Sequence, residues 1–61
     1  MQPPTVREVI KRLEDEGWLL DRCRGDHRIY KKEGRIVPVA GRMKDHLDRG
    51  TWANIKSIVG W

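Results

Sequence analysis

Apart from a hydrophobic core, the sequence has few features, such as disulfides or metal sites, that could stabilise so short a chain. It is 61 residues long and has one cysteine, Cys23, which cannot form an intramolecular disulfide and which we take to be inert. No zinc-ligand spacing is present, and no apolar run approaches the length that spans a membrane. Together with the absence of a signal peptide, this predicts one soluble domain, residues 1–61, in a reducing cytoplasm, with no metal or other cofactor.

What the sequence does have is basic charge, concentrated in one part of the chain. Residues 22–61 carry ten Lys or Arg and four Asp or Glu, a net charge of +6, whereas residues 1–21 carry three and five, a net charge of −2. A basic region beside a mildly acidic one predicts a surface that binds a polyanion. Judged by charge alone, a basic surface that contacts solvent and binds no partner is an equally good explanation.

Two helices are predicted, one at each end of the chain. Thr5 and Glu8 have capping-box spacing at the start of a helix over residues 6–16, and Gly17 ends it. Thr51 is predicted to cap a second helix that runs to about residue 59, after a loop over residues 40–50. Their apolar stripes are Val6, Val9, Ile10 and Leu13 in the first and Trp52, Ile55, Ile58 and Val59 in the second. Trp61 is expected to fold back against the core.

Three strands are predicted between the helices, over residues 18–24, 27–32 and 35–39. Gly25-Asp26 and Glu33-Gly34 supply the chemistry of two tight turns, which makes the strands an antiparallel meander. Both helices can bury their stripes if they lie on one face of this sheet. The predicted fold is therefore α+β, a two-layer α-β-β-β-α arrangement like that of a double-stranded-RNA-binding domain, with the other sheet face left to solvent or a ligand.

The hairpin over residues 21–30 holds the residues best suited to chemistry on RNA. RNA carries its own nucleophile, the 2′-hydroxyl, so a ribonuclease has to move protons and stabilise negative charge on phosphate. Histidine, with an ordinary pKa of about 6.5, suits the first task, and His27 follows the turn directly. Basic side chains suit the second task, and the candidates are Arg22, Arg24, Arg28, Lys31 and Lys32. Without further information, however, a strand histidine is more often structural or simply exposed.

Four motifs at characteristic distances extend this interpretation to nearly the whole chain. They are Glu16-Gly17-Trp18 after the first helix, Arg22-x-Arg24-Gly25-Asp26-His27, Val37-Pro38-Val39, and Gly50-Thr51 opening the last helix. In these the chain resembles the HicA family, the RNA-cleaving toxins of HicBA toxin–antitoxin systems. The resemblance implies a metal-independent endoribonuclease (an mRNA interferase) with His27 as its single catalytic histidine. It also implies that the protein arrests translation and growth and is neutralised by a HicB-type antitoxin protein.

Two positions depart from the family pattern. Asp26 stands where the family usually has serine, and it could orient the His27 ring or simply favour the turn. Ala40 stands where many members have a second histidine, so catalysis would depend on His27 without that neighbour.

Two other functions remain open, a non-catalytic RNA-binding module of the same fold and a small protein whose basic face docks on an acidic partner. Among the remaining candidates, His46 is interpreted as a surface residue. Tyr30 could stack on bases, whereas Trp18 is expected in the core.

Overall fold

The computed structural model describes residues 2–61 and contains the five expected elements in the expected order. They are α1 (Val6–Asp15), β1 (Leu19–Arg24), β2 (His27–Lys32), β3 (Arg35–Ala40) and α2 (Arg49–Val59). The sheet is antiparallel, with the strands in the order β1-β2-β3. The α-β-β-β-α prediction is confirmed.

Helix α1 begins and ends as the local sequence predicts. The Thr5 amide donates to the Glu8 carboxylate at 2.8 Å, and the Glu8 amide donates to the Thr5 hydroxyl at 3.2 Å, which completes the capping box. These hydrogen bonds, above all the one from the Thr5 backbone, hold the pKa of Glu8 below its ordinary value. At the other end Gly17 has φ +93°, a conformation that glycine adopts without a steric cost.

The two hairpin turns have the backbone geometry of two-residue loops. Gly25 has φ +60° at the first position of the turn between β1 and β2. Glu33 and Gly34 both have positive φ, +51° and +80°, between β2 and β3. Such turns match the twist of the paired strands, and they fix the register of each hairpin.

The core lies between the helices and one face of the sheet. Tyr30, Val37 and Val39 point from the strands toward the helices, and Trp18 is buried just before β1. The remaining buried residues are Val6, Val9, Ile10, Leu13, Leu47 and Ile55. Both helices thus cover the same sheet face, which confirms the two-layer α+β fold of double-stranded-RNA-binding-domain type.

The segment between β3 and α2 differs most from the sequence prediction. The helix begins at Arg49, three residues before the predicted start, because its cap is Asp48 rather than Thr51. The Asp48 carboxylate accepts from the Thr51 amide at 3.1 Å and from the Thr51 hydroxyl at 3.0 Å. The Thr51 assignment was wrong because two cap-forming residues stand three positions apart, and the longer helix uses the first of them.

The loop before α2 is held against the start of α1 by backbone hydrogen bonds. The Val6 amide donates to the Asp45 carbonyl at 2.9 Å, and the Leu47 amide donates to the Pro4 carbonyl at 2.9 Å. The side chain of Leu47 enters the core, a role that the sequence prediction missed. The loop thus closes the end of the core that the strands leave open.

The C-terminal residue folds back as predicted. The indole nitrogen of Trp61 donates to the Glu16 carboxylate at 2.9 Å, and the Arg12 guanidinium lies 4.0 Å from the centroid of the indole ring. The indole hydrogen bond is the main reason that the pKa of Glu16 lies below its ordinary value. The end of the chain is therefore tied to the end of α1.

Within residues 2–61, no helix has the length and apolar character needed to cross a membrane.

Candidate functional site

The face of the sheet that points away from the helices, called the open face below, carries His27. Residues paired across antiparallel strands point to the same face, and successive residues alternate between faces. Because Tyr30 points into the core, its neighbours at odd positions of β2 point to the open face. The open face therefore consists of three cross-strand rows: Arg24, His27 and Ala40; Arg22, Ile29 and Pro38; Leu19, Lys31 and Ile36.

The His27 ring is exposed and available to a ligand. It lies directly after the turn, with Arg24 opposite it on β1 and Ala40 opposite it on β3. The Gly41 amide donates to the Asp26 carbonyl at 3.1 Å, so the turn is also held from the β3 side. No side-chain hydrogen bond to the His27 ring occurs within the part of the chain that the structure describes. A fixed backbone thus presents an unengaged imidazole to solvent.

The two departures from the family pattern both lie next to this ring. Ala40 is the direct cross-strand neighbour of His27, so a histidine there would lie beside the His27 side chain. Asp26 is the second residue of the two-residue turn. Across residues 2–61 its carboxylate makes no hydrogen bond to the His27 ring, and of its two suggested roles the structure therefore supports the one in the turn.

The structure divides the five basic candidates between the two faces of the sheet. Three of them, Arg22, Arg24 and Lys31, share the open face with His27. Arg24 is the nearest, and Lys31 lies four residues along the strand, about 13 Å away at the usual strand rise. All three side chains are exposed, and Arg22 makes one solvent-exposed ion pair with Asp21 at 3.5 Å.

The other two basic candidates point toward the helices and make structural hydrogen bonds. Arg28 donates to the Gly41 carbonyl at 3.3 Å, and Lys32 donates to the Glu16 carbonyl at the end of α1 at 2.6 Å. The sequence contained a signal for this division, because both residues stand two positions from Tyr30, the aromatic residue at the centre of β2. Their predicted part in RNA binding stays a prediction, whereas their contacts to the protein are observed.

The remaining candidates have structural positions. Tyr30 is only 2% exposed, so the suggestion that it stacks on bases is wrong, and burial raises its pKa. Trp18 is in the core as expected. His46 is exposed, as expected, with Nδ1 2.6 Å from the Pro3 carbonyl oxygen. Cys23 is exposed on β1, and no group of three His, Cys, Asp or Glu suited to a metal ion is present in residues 2–61.

Two surface depressions lie away from His27. One of about 420 Å³ is found at the opposite end of the first hairpin, beside Leu19 and Lys31. Another of about 380 Å³ lies between the N-terminal segment and α2, beside Trp52. The surroundings of His27 are instead an open sheet surface, which suits an extended polymer better than a small molecule enclosed in a pocket.

Fold and site together define a small two-layer α+β domain whose sheet presents one histidine among basic side chains. Residues 6–61 match the family model described as HicA toxin of bacterial toxin-antitoxin. The match includes all five elements and His27, and the chain belongs to the HicA toxin family. It is thus the toxin of a toxin–antitoxin pair. Neither the curated proteins nor the solved structures contain a match to the chain.

Proposed function

We propose that this chain, acting as a single HicA-like domain, is a ribonuclease toxin that cleaves mRNA with His27 as its catalytic residue. One observation carries the proposal. The chain of a toxin family presents an exposed histidine, without an intramolecular hydrogen bond to its ring in residues 2–61, directly beside Arg24 on a basic sheet face. An imidazole next to a guanidinium supplies the two things that RNA transesterification needs, a proton acceptor and positive charge at the phosphate.

The chemical step follows from these two groups. The RNA 2′-oxygen attacks the adjacent phosphorus while His27 takes its proton, and the bond from phosphorus to the 5′-oxygen breaks. The products are a 2′,3′-cyclic phosphate and a 5′-hydroxyl. The other neighbour of His27 in its row is Ala40, which cannot donate a proton, so water protonates the leaving 5′-oxygen. Arg24 binds the non-bridging phosphate oxygens, where negative charge accumulates.

The RNA substrate is held along the open face through contacts to its phosphate backbone. Arg24 contacts the phosphate at the cleavage position, and Arg22 and Lys31 contact phosphates further along the strand. Arg28 and Lys32 support the same hairpin from beneath through their hydrogen bonds to Gly41 and Glu16. A flat site of this kind favours an unpaired stretch of mRNA, whose backbone can bend to bring the 2′-oxygen in line with phosphorus.

Control of such an enzyme requires an inhibitor, which we propose to be a HicB-type antitoxin. A surface rich in Asp and Glu would match the net charge of +6 on residues 22–61, speed the encounter and occupy the phosphate sites. We expect contacts to Arg22, Arg24 and the ring of His27 on the open face rather than to Arg28, which donates to Gly41 on the helix side, and faster association at low salt. The free toxin would arrest translation and growth in the cytoplasm of its own cell.

The second candidate is a non-catalytic RNA-binding module, which is favoured by the presence of Ala40 opposite His27. Where many family members have a second imidazole, this chain has a methyl group directly opposite His27. With one imidazole fewer, the same basic face could bind RNA without cleaving it.

An assay of RNA cleavage and RNA binding on the same sample separates the two candidates. The purified chain is incubated with end-labelled mRNA in buffer containing EDTA, and the product ends are identified. Cyclic phosphate and 5′-hydroxyl ends support the enzyme, because the step needs only groups of the open face. Salt-sensitive binding with intact RNA supports the module instead. Cleavage that stops in EDTA would contradict the metal-independent mechanism.

A further inference from the structure

Strand β1 is an outer edge of the sheet, and no element among residues 2–61 covers it. All six of its residues are exposed, and within residues 2–61 it pairs with β2 alone. Half of the backbone N–H and C=O groups of an edge strand point outward without a strand partner, which makes the edge a template for an added strand. Monomeric proteins usually protect such an edge or use it.

Two large aliphatic residues are exposed on β1, one on each face of the sheet. Leu19 pairs with Lys31 and points to the open face, where it is 72% exposed. Leu20 pairs with Tyr30 and points to the helix side, where it is still 50% exposed because the helices do not extend over this strand. A partner that docks flat on the open face would cover Leu19 and leave Leu20 in water. Only a partner that lies along the edge reaches both.

The surface depression of about 420 Å³ lies at the start of β1, beside this edge. It is lined by Leu19 and Lys31 from the open-face side, by Leu20, Lys32 and Gly17 from the helix side, and by the acidic residues Asp21 and Glu33. The depression therefore wraps around the edge of the sheet at the start of β1. It offers room for a side chain at the end of an added strand.

The opposite edge of the sheet is less suited to strand addition. Pro38 lies in the middle of β3 and has no N–H to donate. Helix α2 packs against this strand, and the large exposed aliphatic residue of β3, Ile36, points to the open face at 52% exposure. Residues 2–61 thus offer β1 as the better edge for pairing.

Charge decides which partner suits β1. A second copy of this chain would also carry a net charge of +4, so two copies repel one another. The surroundings of the edge are basic on balance, with Arg22 and Arg24 on the strand and Lys31 and Lys32 beside it against the carboxylates of Asp21 and Glu33. These charges work against pairing with neutral strands. An extended segment with acidic side chains is the complementary partner.

We propose that the antitoxin inhibits this toxin by adding an extended acidic segment to β1 as a fourth strand. This inference rests on the proposed function in taking the antitoxin as the partner, and it adds where and how that partner is anchored. Arg24, the neighbour of His27, lies on the same strand. A segment paired with β1 therefore runs beside the catalytic row and positions the rest of the antitoxin over it.

Two matched substitutions test the anchor. Leu20→Lys and Ile36→Lys each replace an aliphatic residue of nearly equal exposure, 50% and 52%, by the same charged residue. Leu20 points to the helix side and belongs to neither the catalytic nor the RNA-binding set, so Leu20→Lys should cleave RNA like the unchanged chain. Ile36→Lys adds a positive charge to the open face and serves only as the control for antitoxin binding. The probe is the protein encoded by the reading frame next to that of the toxin, co-purified with it, and its affinity is measured by calorimetry at fixed salt.

Edge pairing predicts that Leu20→Lys weakens the complex by about tenfold or more, while Ile36→Lys changes it less than threefold. In the complex, the outward amides of β1 should also exchange with deuterium more slowly than in the free toxin. Equal weakening by both variants, or a loss with Ile36→Lys alone, would overturn the inference in favour of docking on the open face. A concentration-dependent dimer of the free toxin that Leu20→Lys abolishes would overturn it in favour of a second copy.

The outcome is separable from the proposed catalysis. If the free chain cleaves RNA but Leu20→Lys leaves antitoxin binding unchanged, the edge inference fails and the ribonuclease assignment stands. If Leu20→Lys weakens binding but the free chain does not cleave RNA, the edge inference stands and the catalytic assignment fails.

Discussion

The division of the basic residues between the two sheet faces leads to a quantitative prediction about salt. Each phosphate contact to single-stranded nucleic acid contributes about −0.7 to the slope of log affinity against log salt concentration. Three open-face contacts, from Arg22, Arg24 and Lys31, therefore predict a slope of about −2. Over a tenfold rise in salt, RNA affinity should fall about a hundredfold. Arg24→Ala should reduce the slope to about −1.4 and that fall to about 25-fold.

The assay is fluorescence anisotropy with a short RNA whose 2′-hydroxyls are methylated, so that it binds without being cleaved. Arg7→Ala, which removes an exposed charge from α1, is the control for net charge and should leave the slope unchanged. Arg28→Ala is the more stringent control, because the Arg28 guanidinium donates a hydrogen bond to the Gly41 carbonyl on the helix side of the sheet. It should lower the stability of the fold but leave the slope near −2. If Arg28→Ala flattens the slope as much as Arg24→Ala, the assignment of faces is refuted.

Three further predictions concern the fold that carries the site. Asp48→Ala should destabilise the protein by about 1 kcal/mol in urea unfolding, and by more than Thr51→Ala, because Asp48 provides the cap of α2. Leu47→Ala should cost about 2–5 kcal/mol in the same assay, and a smaller cost would mean that the loop does not close the core. The pKa of Glu16 is lower in the folded state than its ordinary value of 4.5. Its contribution to the stability of the fold is therefore complete above pH 4.5 and is lost as the pH falls through the folded pKa. Tryptophan fluorescence should therefore change in that acidic range as Trp61 loses its acceptor, and Glu16→Gln should remove this change.

The elements that could be predicted from the sequence are those determined by residues close to one another in the chain. The capping box of Thr5 and Glu8 and the two-residue turns at Gly25 and Gly34 act within a few residues, so each could be read from the chain alone. The loop before α2 could not, because its conformation depends on hydrogen bonds to the distant start of α1 and on the packing of Leu47.

The candidate site was predictable as a hairpin but not as a surface. Strict alternation along β1 would put Leu20, Arg22 and Arg24 on one face. The irregularity in pairing between Leu20 and Arg22 changes this, so that Leu20 points to the helix side while both arginines join His27 on the open face. One extra residue in a strand redirects every side chain after it, and only the register of the folded sheet shows where this happens.

The most direct test of catalysis by His27 is the rate of RNA cleavage by His27→Ala, with His46→Ala as the matched control. Both variants lose one exposed imidazole, but the His46 ring is hydrogen-bonded to the Pro3 carbonyl away from the sheet, whereas His27 stands on the open face. With rates normalised to the folded fraction from circular dichroism, His27→Ala should lose about 10²- to 10⁴-fold in cleavage and no longer arrest growth. His46→Ala should cleave at the unchanged rate. A folded His27→Ala protein that cleaves RNA as fast as the unchanged chain would contradict the central claim.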